Sequence, residues 1–328
     1  MDDAPAPSEP AGGGQQLPWD PFRAAVLGLA IDRATAEVVV ALRQANMRSI
    51  VLKGRSFAVL LYDSGEQRLY GDIDLLIPAQ DERRAGEALD RLGYQLRSDR
   101  EPEGTVDHAS VWVRPSDGLH VDLHRTLSGI QGGGTDPWEV LAADTDSILV
   151  GGTTVEILSE PARALHVALH AALPGRGKEK TLIDLSRAIE RLPHATWAGA
   201  AALARRLNAQ AAFAAGLGRL PAGVELAGTL ELARERSVEE ALLADSAPPS
   251  AWTVERLSKA TGVRGRLAIL VPRLFPKPEF MRVWYPVARR GRAGLVLAHL
   301  WRVMWLVMTA PRAVRVWRRA RRESQGSV

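Results

Sequence analysis

From Pro21 to Met47 the apolar positions Phe22, Val26, Leu29, Ile31, Ala34, Val38, Val39 and Leu42 recur at roughly helical spacing, which predicts one or two helices ahead of the first strand. Ser49 to Leu52 is a short apolar run ending at Lys53-Gly54, and the helical pattern of Phe57, Leu60 and Leu61 follows it. That order reads strand, tight turn, helix. Leu69 to Ile77 is a second strand, closed by Pro78 because proline has no amide hydrogen to give to a ladder. Asp81 to Leu92 has the pattern of an amphipathic helix, with Gly93 placed to end it. Ala109–Arg114 and Leu119–Leu123 alternate as strands across the turn cluster Pro115-Ser116-Asp117-Gly118. Beyond a glycine-rich linker at Gln131–Thr135, Ile148–Ile157 reads as a small hairpin around Gly151 and Gly152. Ser159 is a good N-cap for the next helix and Pro161 suits its first turn. The pattern is mainly helical from there to the end. The expectation is an α+β (mixed α/β) fold: a tail over 1–20, a core over 21–135, and a mainly helical region with a basic end over 136–328.

Composition narrows the picture. With 328 residues, 46% hydrophobic and 24% charged, the chain can bury a proper core. It has no cysteine, which excludes disulfide frameworks, thiolate zinc sites and cysteine nucleophiles together and fits a cytoplasmic address. Met1 to Gln16 is rich in Ala, Pro, Gly and acid, without the basic start and apolar run of a signal peptide, and reads as a disordered tail. The net charge of +4 is unevenly spread. Residues 251–328 hold 17 Lys or Arg against 3 Asp or Glu, a net +14, whereas the remainder, with 25 against 35, carries −10. The basic end is a separate electrostatic object.

The candidate chemistry lies in Asp72-Ile73-Asp74. On a strand, residues i and i+2 share a face, so both carboxylates project together while Ile73 points into the core. Two adjacent like charges at a strand end ask for a cation between them. Asp122, in Leu-His-Val-Asp-Leu-His, lies on a later strand that a neighbouring position could bring alongside as a third ligand. Closely spaced hard oxygens are what Mg²⁺ or Mn²⁺ requires, and two such ions ~3.5–4 Å apart serve phosphoryl and nucleotidyl transfer. Lys53-Gly54-Arg55-Ser56 sits where a strand turns into a helix, a natural seat for phosphate, with Lys53 and Arg68 as candidate cations for a triphosphate tail.

The run Val51-Leu-Lys-Gly-Arg-Ser through Leu61-Tyr62, then Arg68-Leu-Tyr-Gly-Asp-Ile-Asp-Leu-Leu-Ile77, resembles the bacterial uncharacterised nucleotidyltransferase family. Asp122-Leu123-His124 and Leu165-His166 with His170 match that family's later Asp-Leu-His strand and Leu-His-x-x-x-His helix. The resemblance covers about residues 45–190, with a looser echo from Leu274 to Arg282. It implies a polymerase-beta type core, a small mixed sheet flanked by helices. The chain is also similar to abortive-infection type nucleotidyltransferase toxins, which implies transfer of nucleotides to RNA. The pattern departs from the superfamily in that Arg55 separates Gly54 from Ser56, the gap to Asp72 is long, and the N-terminal helical region is short.

Other features admit a bland and a functional reading. His166 and His170, at i and i+4, could share a metal or pack against the core. Lys180 and Asp184 could be an exposed helical ion pair, or Lys180 could reach the nucleotide. His124 borders Asp122 or stands as a structural strand-end histidine; Tyr62 and Tyr70 stack on a base or fill the domain edge. From Gly294 to Arg322 apolar residues interrupted by His299 and Arg302 precede an arginine cluster. That run falls short of the ~20 residues that span a bilayer, so no transmembrane segment is expected. A packed helix with a basic tip, a peripheral binder of anionic membrane surface and an RNA-backbone contact all remain open.

The primary expectation is an Mg²⁺- or Mn²⁺-dependent nucleotidyltransferase using a nucleoside triphosphate, with RNA, a peptide or a small molecule as acceptor. Asp72, Asp74 and Asp122 would be its catalytic and metal-binding acids; Lys53, Gly54, Arg55, Ser56, Arg68 and Lys180 would bind the nucleotide. The alternative is a catalytically inactive binding or accessory protein on the same fold.

Overall fold

The computed structural model describes residues 21–97, 109–130, 135–173, 178–232, 238, 241–242, 247–276 and 278–325. The expected tail over 1–20 and most of the glycine-rich linker lie outside these residues. In chain order, helix α1 (Pro21–Gln44) is followed by β1 (Ile50–Val51), α2 (Arg55–Leu61), β2 (Ile73–Leu76), α3 (Glu82–Arg91), β3 (Gln95–Leu96), β4 (Ala109–Val113) and β5 (His120–His124). Next come α4 (Pro137–Leu141), β6 (Thr145–Val150), β7 (Thr153–Leu158), α5 (Glu160–Ala172), α6 (Lys178–Arg191), α7 (His194–Arg206), α8 (Gln210–Leu217) and α9 (Pro221–Thr229).

The strands form one seven-stranded mixed sheet in the order β3-β4-β5-β2-β1-β7-β6. β2 runs parallel to β5 and β1 runs parallel to β7; the other pairs are antiparallel. The mixed α/β expectation holds. The core expectation ended at residue 135, yet the hairpin β6–β7 joins this sheet through β1, so the sheet continues to Leu158. A hairpin cannot show from sequence which distant edge it will pair with. The second strand is also shorter than the apolar run that predicted it, because only Ile73–Leu76 takes up the ladder.

The pleat divides the core. Val51, Ile73, Leu75, Val121, Leu123 and Ile157 face α1 and α3. Ile50, Leu52, Leu76 and Leu158 face α2 and the helices after the sheet. This second layer is tight: a Cβ built on Gly216 of α8 would stand 1.9 Å from the Ala168 carbonyl oxygen of α5, so only glycine allows that approach. Ser159 occupies the N-cap of α5 and Pro161 its first turn, as expected, although the Ser159 side chain makes no capping bond.

The C-terminal part is helical: Pro249–Lys259, Gly262–Leu274, Pro278–Trp284 and the long helix Gly291–Gln325. A stretch of the long helix has mean hydropathy 1.5 and is only 17% buried. By length and composition it could cross a membrane, which the interrupted apolar run did not lead us to expect.

Candidate active site

Strand register builds the site. The parallel pairing of β2 with β5 places Asp74 directly opposite Asp122, and Leu76 opposite His124. Asp122 and His124, two residues apart, therefore share the face that carries Asp74. Asp72 lies two residues before Asp74, just ahead of β2. Lys53 follows β1, whose antiparallel pairing with β2 is extended by Leu52 N–H donating to the Asp74 carbonyl at 3.0 Å.

Asp74 is the centre. Its side chain is 1% exposed, Lys53 Nζ lies 2.7 Å from its Oδ1, and His124 Nε2 lies 2.9 Å from the same oxygen. Its other oxygen, Oδ2, is buried and has no hydrogen-bond partner among the described residues. Burial alone would raise the Asp74 pKa, but Lys53 and His124 outweigh it and hold the carboxyl well below the usual range. Asp72 is pushed up, first by the charge of Asp74 and then by burial. Burial and then the Asp74 charge push Asp122 up to about 6. Lys53 is raised: burial opposes its charge, but Asp74 and Asp72 more than restore it. The surroundings thus hold more negative charge than they can readily keep.

That imbalance fits a divalent cation. Asp74, Asp122 and His124 each offer a ligand atom, all within 4.8 Å of one another. Asp74 Oδ2, without a hydrogen-bond partner among the described residues, has lone pairs to offer an ion, and the carboxylate oxygens suit Mg²⁺ or Mn²⁺. The cluster takes in His124, which the sequence placed only at the border. Asp72 lies beside it, outside that three-ligand set.

The other candidates separate. Lys180 of α6 is near enough to feel Asp72; its pKa is lowered, first by burial and then by the Arg68 charge. Gly54 adopts φ 57° and ψ −117°, and a Cβ there would meet the Tyr70 ring at 3.4 Å. The Tyr70 hydroxyl donates to Asp32 Oδ1 of α1 at 2.6 Å, so α1 fixes the turn from one side. Arg55 is exposed, whereas Ser56 is fully buried under the turn.

Arg68 faces inward. Its Nη2 and Nε donate to Asp184 at 2.7 and 3.0 Å, and its Nη1 donates to the Gly54 carbonyl at 3.4 Å. Both ionic side chains are 2% exposed. Tyr62 donates to the same Asp184 at 2.9 Å, which puts its hydroxyl in the clamp and not on a base. The expected Lys180–Asp184 surface pair is replaced by this buried bond. Arg68 lies 116 residues from Asp184, and nothing local in the sequence signals the pairing.

His166, buried, and His170, half-buried, lie on α5 near this network. Desolvation and then Lys53 drive His166 well down and His170 down to about 3. His166 packs edge-on against Phe57, with ring centroids 5.2 Å apart. Among the described residues the pair belongs to no three-ligand group.

Residues 22–221 match a family described as uncharacterised nucleotidyltransferase. No curated protein matches the chain. Among solved structures, the chain is similar to ANT(2'')-Ia in complex with adenylyl-2''-tobramycin, with 14% identity over 53% of this chain and 97% of that one and a TM-score of 0.38. It is similar to lincomycin-bound LnuA, a lincosamide antibiotic adenylyltransferase, at 15% identity over 46% and 92%, with a TM-score of 0.32. An antigenic nucleotidyltransferase-like protein from Paracoccidioides brasiliensis matches at 15% identity over 63% and 92%, with a TM-score of 0.33.

Proposed function

Because the chain belongs to the uncharacterised nucleotidyltransferase family, we propose that it transfers a nucleoside monophosphate from a nucleoside triphosphate to an acceptor hydroxyl, in the cytoplasm, with Mg²⁺ or Mn²⁺ held by Asp72, Asp74 and Asp122 and flanked by His124. The observation that carries this reading is the buried Asp74, set opposite Asp122 by the register of β2 and β5, with an Oδ2 that has no hydrogen-bond partner among the described residues. A bound divalent cation would supply neutralisation of phosphate oxygen charge at that cluster.

The chain's own residues account for the rest. Asp122, set opposite Asp74 by the strand register, takes the proton of the acceptor hydroxyl as its oxygen bonds to the α-phosphorus. The bond from that phosphorus to the pyrophosphate oxygen breaks, and pyrophosphate leaves with the electron pair. Lys53 and Lys180 place positive charge on the nucleotide side, and Arg55 is exposed at the mouth. Arg68, Gly54 and Ser56 hold the turn's shape and act through it. The acceptor class, whether RNA, peptide or small molecule, is set by surfaces beyond this cluster.

The test is incubation of the purified chain with Mg²⁺, each α-labelled nucleoside triphosphate, and tRNA or a cell lysate, beside an Asp72→Ala/Asp74→Ala control. Label moved by wild type alone supports the reading and reveals the acceptor. No label, together with no Mg²⁺-dependent nucleotide binding by calorimetry, leaves a binding or accessory protein on the same fold.

A further inference from the structure

The long C-terminal helix has two unlike halves on one face. Leu297, Leu300, Trp301 and Met304 are 61%, 64%, 56% and 45% exposed. Eighteen residues further on, the same positions are Arg315, Arg318, Arg319 and Arg322. At about 3.6 residues per turn, eighteen residues make about five full turns, so each arginine stands in line with an apolar side chain of the first half. Met308, 71% exposed, extends the apolar row between them. The neighbouring helix Gly262–Leu274 adds exposed Val263, Leu267 and Val271 at i, i+4 and i+8, continued by Phe275.

The opposite side is committed to the protein. Ala298, Ala313 and Ala320 are buried, and Trp317 donates to Glu255 at 2.6 Å. Arg302, 4% exposed, donates to the Arg273 carbonyl at 2.8 Å and to the Tyr285 hydroxyl at 3.2 Å. A spanning helix would need lipid-compatible surface around its whole circumference, whereas this one is tied down along one side.

We propose that this face is a docking surface for an anionic lipid bilayer, lying flat with its apolar row in the acyl boundary and its arginines on the headgroups. The charge complementarity is strong, since residues 251–328 carry 17 Lys or Arg against 3 Asp or Glu. Juxtaposed apolar and cationic rows along one helix are what an interfacial helix presents to an anionic leaflet. An RNA contact would use the arginines but gives no role to an exposed Leu, Trp and Met row.

The full chain, mixed with phosphatidylcholine vesicles or with vesicles that also contain phosphatidylglycerol, is followed by flotation and by tryptophan emission. Binding to the anionic vesicles, a blue shift, and release by alkaline carbonate are expected. Leu300→Ser/Met304→Ser and Arg315→Gln/Arg318→Gln/Arg322→Gln should each lower partitioning at least roughly tenfold with an unchanged melting temperature. Trp301 stays in both variants as the reporter. No flotation overturns the proposal. So does a chain that resists carbonate extraction, which would be an integral span, or RNA binding lost in the arginine variant alone. A dimer that the Leu300→Ser/Met304→Ser variant dissociates would assign the face to a second copy instead.

Discussion

At the residue scale the site is a balance of charge around one carboxylate. Asp74 is buried with Lys53 and His124 on one oxygen and no hydrogen-bond partner among the described residues on the other, so removing its charge acts at once on the cation and on Lys53. We expect Asp74→Asn and Asp122→Asn each to lower transfer by at least about a thousandfold, a loss of ~4 kcal/mol of transition-state stabilisation. In thermal melts, Mg²⁺ at about a hundred times its Kd should stabilise wild type by ~2.7 kcal/mol and the Asp74→Asn/Asp122→Asn double variant by almost nothing. An unaltered Mg²⁺ response in that variant would place the cation elsewhere. His166 and His170 give a pH signature. Both are kept neutral in the fold, with His170 down to about 3, while the unfolded chain takes up protons at about 6.5. Their stabilisation is complete above that pH and declines as pH falls toward 3, by about 1.36 kcal/mol per unit for each histidine. Urea midpoints at neutral and mildly acid pH should therefore converge in His170→Gln relative to wild type.

At the element scale, the turn after β1 is clamped from two sides, by Tyr70–Asp32 from α1 and by Arg68–Asp184 from α6. Asp184→Ala leaves Arg68 buried without its counter-charge, so it should cost ~3–5 kcal/mol in denaturant unfolding. Adding Arg68→Ala should recover part of that loss, and simple additivity of the two losses would count against the clamp. Gly54→Ala should instead damage turnover more than stability, because a side chain at its positive φ would push the Lys53–Ser56 turn out of place. These elements were unevenly legible in the sequence. The periodicity of α1 and α3, the β4–β5 hairpin and the Asp-x-Asp strand could be read because each is a local pattern. Asp122 was expected alongside as a third ligand, but the register that sets it opposite Asp74 and the inward turn of Arg68 could not be read, since partners 48 and 116 residues apart leave no local trace. His124 was placed only beside the acids for the same reason: its distance to Asp74 is set by the parallel register.

At the scale of the whole molecule, an acidic portion carrying the sheet is joined to a basic helical end, and the long helix gives that end its direction. Its apolar and arginine rows are aligned only because the interval between them is a whole number of turns. Helical phase, and not composition, then becomes the quantity that matters. Two alanines inserted after Pro311 would swing the arginines about 200° around the axis, toward the protein side, whereas seven would return them to within about 20°. Charge and hydropathy would be almost the same in both chains. The seven-residue insertion should keep its affinity for anionic vesicles in flotation and the two-residue insertion should lose it, so the helix would behave as a gear whose teeth must mesh rather than as a sticky tail.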